Sequence, residues 1–322
     1  MIEIENLSKA FQVAKRSGGP IASLFRRDYE TVHALSDVSF SVKKGDIVGY
    51  IGPNGAGKST TIKIMSGILV PSSGSCRILG HTPWKSRVAH VRNIGVVIGQ
   101  RTQLWWDVPV IDSFALLKDI YKMSNADYKR SLDHLVKTLS LEPLLATPVR
   151  QLSLGQRMRC EIAAALIHEP QILFLDEPTI GLDAVSKIAV RETIKKINAE
   201  RDVTVILTTH DMSDIEALAS RIILIGKGQK LYDGSLDTLK SQYVTYKKIS
   251  VDFEADRSFI QPEGTEVQFS STERAILSVD LSKTSVPSVI HQLTNALNIR
   301  DITVENQAIE EIIVALYKEM AI

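Results

Sequence analysis

The sequence predicts an α/β protein with a mostly parallel core sheet, followed by a small C-terminal α+β domain. Three observations lead there. First, the chain has 322 residues, a length that suggests about two domains. Second, the short apolar runs Ile47-Val48-Gly49-Tyr50-Ile51, Ile172-Leu173-Phe174-Leu175 and Val205-Ile206-Leu207 each end at a turn or at polar residues. Runs this apolar read as parallel strands covered on both faces. Third, the periodicity changes after Asp233-Gly234. Ile249 to Phe253, Glu266 to Phe269 and Ile276 to Leu281 alternate as half-buried strands do.

The first run leads into Gly52-Pro53-Asn54-Gly55-Ala56-Gly57-Lys58-Ser59-Thr60 and then the helix-like Thr61 to Met65. Strand, glycine-rich turn and helix start are the context a phosphate-binding loop requires. Glycines let several N–H groups face one anion, and the helix N-terminus adds partial positive charge. Lys58 supplies a full charge for the β and γ phosphates. The Ser59 hydroxyl suits Mg²⁺, which takes oxygen ligands.

The run Ile172 to Leu175 ends in Asp176-Glu177-Pro178. At that strand end Asp176 is placed to hold Mg²⁺ through water, and Glu177 to orient an attacking water. Alone, such a pair reads as two solvated acids; beside a phosphate loop it reads as chemistry. Between the two sites lies Leu152-Ser153-Leu154-Gly155-Gln156, ahead of the amphipathic Arg157 to Leu166. Ser153 and the Gly155 N–H form a second anion-ready helix start.

These motifs together resemble the ATP-binding subunits of ATP-binding-cassette (ABC) transporters, whose signature is LSGGQ. Leu154 departs from that signature; Ser153, Gly155 and Gln156 keep it. The resemblance covers residues 1 to about 235. It implies a cassette made of a core sheet, an antiparallel subdomain and a helical subdomain at about 101–168. It also implies the remaining site residues. Gln100 matches the glutamine that touches Mg²⁺ or the water and senses the membrane partner. Asp183, in Gly181-Leu182-Asp183, matches the D-loop, and His210 the switch histidine. Phe11 takes the place of the aromatic that stacks on adenine, with core packing as the alternative and Phe25 and Tyr29 as competitors. In this family two cassettes meet head to tail, so the signature of one closes on ATP held by the other. The pair here is either identical or mixed.

Composition agrees. A hydrophobic content of 44% is ample for a core, and a net charge of +1 offers no field for wrapping nucleic acid. Cys76 and Cys160 lie far apart and fit no metal or redox spacing. No segment looks like a signal peptide, and no apolar run reaches the ~18 residues a membrane span needs. The expectation is a peripheral protein on the cytoplasmic face of the membrane, with permease subunits on separate chains.

Three further regions are informative. Lys15 to Tyr29, with Gly18-Gly19-Pro20 and Phe25-Arg26-Arg27, reads as a loop, either solvated or lying on lipid or a partner. Trp105-Trp106, in a Pro-containing loop after Gln100, read as anchors for the permease rather than as core. Residues 236–322 read as strands with helices at Val286 to Leu297 and Ile309 to Tyr317. They carry no catalytic cluster, which suggests dimerisation or regulation. Their ending, Val304 to Ile313, resembles the tail of daunorubicin-resistance-type drug-export cassettes, and Gln100 to Trp106 a bacterial subgroup of that branch. Two rival readings exist. A cassette ATPase acting on nucleic acid or ribosomes usually shows coiled coils, zinc cysteines or two cassettes in one chain. A P-loop kinase or GTPase would leave the signature and His210 unexplained.

Overall fold

The computed structural model describes residues 1–15, 28–99, 101–255 and 259–319. They form two compact units, Met1–Leu236 and Asp237–Ile322. The first unit runs through β1 (Ile2–Lys15), β2 (Asp28–Val42), β3 (Ile47–Ile51), α1 (Lys58–Met65), β4 (Ser73–Ile78), α2 (Arg87–Val91) and β5 (Ile94–Ile98). It continues with α3 (Val110–Tyr121), α4 (Asn125–Leu139), α5 (Leu154–Leu166), β6 (Ile172–Asp176), α6 (Ala184–Arg201), β7 (Thr204–Thr208), α7 (Met212–Leu218), β8 (Arg221–Gly226) and β9 (Gln229–Ser235).

The core sheet has the order β5-β6-β7-β3-β8-β9. It is parallel except for the β8–β9 pair. The Ile, Leu, Val and Phe residues of β6 and β7 are buried throughout, because helices cover both faces of a parallel sheet. In register, Tyr50 of β3 and Asp176 of β6 both oppose Thr208 of β7. The loops leaving these three strands therefore meet at one end of the sheet, where ligands of such folds bind.

The antiparallel layer has the order β2-β1-β4. Its outer part differs from the sequence expectation. Lys15 to Tyr29 reads as loop, yet the ladder extends to Lys15↔Asp28, with Tyr29 opposite Ala14. The register is set at the buried end by Ile2, Ile4, Leu35 and Val38, and cross-strand bonds carry it outward whatever the side chains. Residues 16–27, including Phe25, Arg26 and Arg27, lie outside the described residues. Helices α3, α4 and α5 occupy the stretch expected to be helical. Ser124 caps α4 by accepting from the Asp127 N–H at 3.1 Å.

The second unit holds α8 (Leu236–Tyr243), which begins at the boundary, then β10 (Tyr246–Phe253), β11 (Thr265–Ser270), β12 (Arg274–Asp280), α9 (Val286–Ala296), β13 (Ile299–Asn306) and α10 (Ile309–Glu319). Its antiparallel sheet has the order β11-β12-β10-β13. Alternate residues Ile249, Val251, Phe253, Ala275, Leu277 and Val279 pack with Val289 and Leu293 of α9. This is the period-2 face its sequence announces.

Candidate functional site

The loop after β3 is shaped by close approach. Gly57 sits at φ +106°, and a Cβ there would lie 2.5 Å from the Ala34 carbonyl oxygen. The chain thus turns into α1 against β2 only with glycine at this position. α1 has no side-chain cap, and the first N–H groups of a helix have no intrahelical partner. Lys58 folds over the loop and donates to the carbonyls of Gly52 (2.7 Å) and Pro53 (3.2 Å). Burial lowers its pKa, opposed by the charges of Glu177 and Asp176. Below the loop, the Tyr50 and Thr61 hydroxyls bond at 3.0 Å in the core.

A cavity of about 190 Å³ opens over this loop. Pro53, Asn54, Gly55, Gly57, Lys58, Ser59 and Thr60 line it, together with Ala34 of β2 and Glu177. Gly52 and Ala56 support the loop from behind: a Cβ on Gly52 would strike the Ile225 carbonyl at 2.4 Å, and Ala56 is buried. Phe11 does not line the cavity. It stands opposite Val32 in the hairpin, with Lys9 Nζ 5.2 Å from its ring centre.

Across the sheet end, Asp176 is nearly buried and accepts from the Thr208 hydroxyl. Glu177 adopts a left-handed backbone, φ 56°, and its N–H donates to the Thr208 carbonyl at 2.9 Å. The His210 imidazole meets Glu177 Oε2 through Nδ1 at 2.9 Å. Gln100 lies outside the described residues, but the Gly99 N–H before it donates to the Asp176 carbonyl at 2.7 Å.

A fully buried carboxylate that the motifs do not reveal organises this end. Asp214 of α7 accepts from Thr179 and Thr209 (3.1 Å) and pairs with Arg191 of α6 at 2.6 Å. It thereby ties the turn after Glu177 to the residue before His210. Only its place in the first turn of a helix is visible in sequence, and that alone signals an N-terminal charge preference.

None of the signature-loop residues lines the cavity. Ser153 caps α5, accepting from the Gln156 N–H (3.2 Å) while Gln156 Oε1 accepts from the Ser153 N–H (2.9 Å). Gly155 allows α6 to approach: a Cβ there would meet Ser186 Oγ at 2.4 Å. Ser186 in turn donates to Asp183, the cap of α6. Ser153, Gly155, Gln156 and Asp183 thus form one neighbourhood, and Lys58, Ser59 and Glu177 another.

Trp105 and Trp106 are 41% and 47% exposed. The Trp105 backbone N–H donates to Ser113 Oγ at 3.1 Å, and Leu116 and Ile120 of α3 are also exposed. Both cysteines are free and buried, and burial pushes their thiols up to about 12. No helix among the described residues is long and apolar enough to cross a membrane.

The parallel sheet with a glycine-rich phosphate-type loop between β3 and α1 defines a P-loop nucleotide-binding protein. A family model described as ABC transporter matches residues 35–180. The chain is 30% identical over 285 residues to the Bacillus subtilis ABC transporter ATP-binding protein YhcH, covering 86% of this chain and 88% of that one. The bacitracin transport ATP-binding protein BcrA of Bacillus licheniformis is 31% identical over 68% of this chain and 70% of its own length. ABC transporter A family member 1 of Dictyostelium discoideum is 34% identical over 67% of this chain, which spans 24% of that longer protein. Among solved structures, the dimeric post-hydrolysis state of the ATP-binding cassette MJ0796, bound to ADP and Pi, superposes with a TM-score of 0.61. It is 27% identical, over 73% of this chain and 99% of that one. The chain belongs to the ABC transporter family, as an ATP-binding cassette of the kind that hydrolyses ATP.

Proposed function

We propose that this chain is the energising subunit of an exporter. ATP-driven pairing of two cassettes would move separately encoded membrane permeases at the cytoplasmic face, and the cargo would be drugs or other small lipophilic compounds. The name of the bacitracin relative supports the cargo class, as does the resemblance of the C-terminal tail to drug-export cassettes.

The observation that carries the enzymatic part is the Glu177–His210 pair at the rim of the phosphate-loop cavity. Glu177 takes the proton of the attacking water as general base. His210 holds the Glu177 carboxylate through Nδ1 and steadies the γ-phosphate. Lys58 leaves the Gly52 and Pro53 carbonyls for the phosphates, and the N–H groups of the loop cradle them. The donor set of a Ser59 hydroxyl and an Asp176 carboxylate fits a hard cation; these two with Gln100 would hold Mg²⁺, which supplies charge neutralisation at the phosphates. Phe11 would stack on adenine. Ser153, Gly155, Gln156 and Asp183 would complete the site of the second cassette, a reading supported by their absence from the lining of this chain's own cavity. Trp105 and Trp106, together with the exposed Leu116 and Ile120 of α3, would seat the permease.

Purification from detergent extract tests the assignment. Copurifying integral membrane proteins are the expected result. Copurifying ribosomes or DNA would favour the nucleic-acid-acting alternative.

A further inference from the structure

One buried carboxylate takes no part in that chemistry. Glu161 lies two turns beyond Ser153 on α5 and is 3% exposed. It accepts from the Thr102 hydroxyl through Oε1 and from the Gln103 N–H at 3.1 Å through Oε2. Gln103 Nε2 donates back to the Glu161 carbonyl at 3.0 Å. The Leu104 N–H closes the turn by donating to Thr102 Oγ1 at 3.1 Å. An irregular segment is thus fastened to a helix by bonds that converge on one residue.

The segment continues directly into Trp105 and Trp106. Arg157, one turn before Glu161 and so on the same face of α5, lies with its guanidinium 5.5 Å from the Trp106 ring centre. Residues 102–106 are therefore held to the signature helix at two successive turns. The helix itself is capped by Ser153. An apolar side chain could fill the place of Glu161 without the cost of burying a charge. What the carboxylate adds is register: two oxygens fix Thr102 and Gln103 at defined positions on α5.

We propose that Glu161 is a positioning residue that makes the segment Thr102–Trp106 and the signature helix move as one body. A partner seated on the tryptophans then displaces Ser153, and closure of the nucleotide sandwich at Ser153 is felt at the tryptophans. The two effects are reciprocal, as coupling between binding events must be. The inference rests on the reading of Trp105–Trp106 as the docking loop and of Ser153 as a contact to the second cassette's nucleotide.

The test uses the full chain with Glu177→Gln, to hold the closed pair, and Trp84→Phe, to leave Trp105 and Trp106 as the remaining indoles. Tryptophan emission and molecular mass by light scattering are read on the same sample before and after MgATP. The parent should dimerise and change its emission. Glu161→Ala and, separately, Thr102→Val should still dimerise, with the emission change reduced about threefold or more. Glu161→Gln should retain most of it, because an amide accepts from the Gln103 N–H and donates to the Thr102 hydroxyl. That rescue separates positioning from a general loss of folding. Should Glu161→Ala not fold, Thr102→Val, which removes one hydroxyl, carries the test. A dimerising parent with silent tryptophans, or a full emission change in the folded variants, overturns the proposal. A parent that stays monomeric with MgATP overturns the sandwich reading beneath it, and the mass measurement tells the two failures apart.

Discussion

The phosphate loop and the signature loop are built from similar material and finished differently. Both put a serine and at least one glycine at the start of a helix. The helix behind Lys58 begins at Gly57 with no side-chain cap, and the first N–H groups of a helix have no intrahelical partner. The helix behind Ser153 is closed by a capping box in which Ser153 and Gln156 satisfy each other's backbones. Even so, the Ser153 hydroxyl accepts in that box and keeps its own proton to donate. On the reading proposed above, the first loop is the one that receives the phosphates. The second is a finished helix end, and the proposed meeting with an anion held by another chain would use the hydroxyl proton that the capping box leaves over.

The comparison can be broken or sharpened by substitution. The largest effect should come from Glu177→Gln, with turnover down about 10²–10⁴-fold while ATP is still bound; brisk phosphate release in a steady-state assay would remove Glu177 as the base. Lys58→Ala should weaken ATP binding in a direct equilibrium titration by about 1.5–3 kcal/mol, the worth of a hydrogen bond to a charged group. Unchanged affinity would mean the loop backbone suffices alone. Ser153→Ala should leave ATP affinity of the single chain unaltered and cost turnover about tenfold, the worth of roughly one hydrogen bond to a charge. A matching loss in affinity of the monomer would show that both loops serve one chain's site. The glycines separate the loops again in thermal melts. Gly155→Ala must displace Ser186 and should cost about 1–3 kcal/mol. Gly55→Ala meets nothing within 4 Å and carries only the strain of φ +81°, about 1–2 kcal/mol.

Much of this was legible in the sequence because the signals are local. Gly52 to Thr60 specify strand, turn and helix start within one short stretch, and the alternation at Ile249 to Phe253 shows which face is buried. What was not legible depends on partners distant in the chain. Glu161 and Asp214 look like ordinary helical acids until Thr102 and Arg191 arrive from 59 and 23 residues away. The outer rungs of the β1–β2 hairpin were hidden for a related reason: their pairing is inherited from the buried end, and loop-like composition says nothing about it.

Glu177 carries a consequence of its own. Its left-handed backbone belongs to the position rather than to the side chain, so glutamate and glutamine tolerate the same tension there. Asparagine or glycine would relax it. A Glu177→Gly enzyme should therefore melt later than the parent while doing nothing to ATP. If Glu177 is the base proposed above, the molecule gives up durability at this residue to keep its reagent in place.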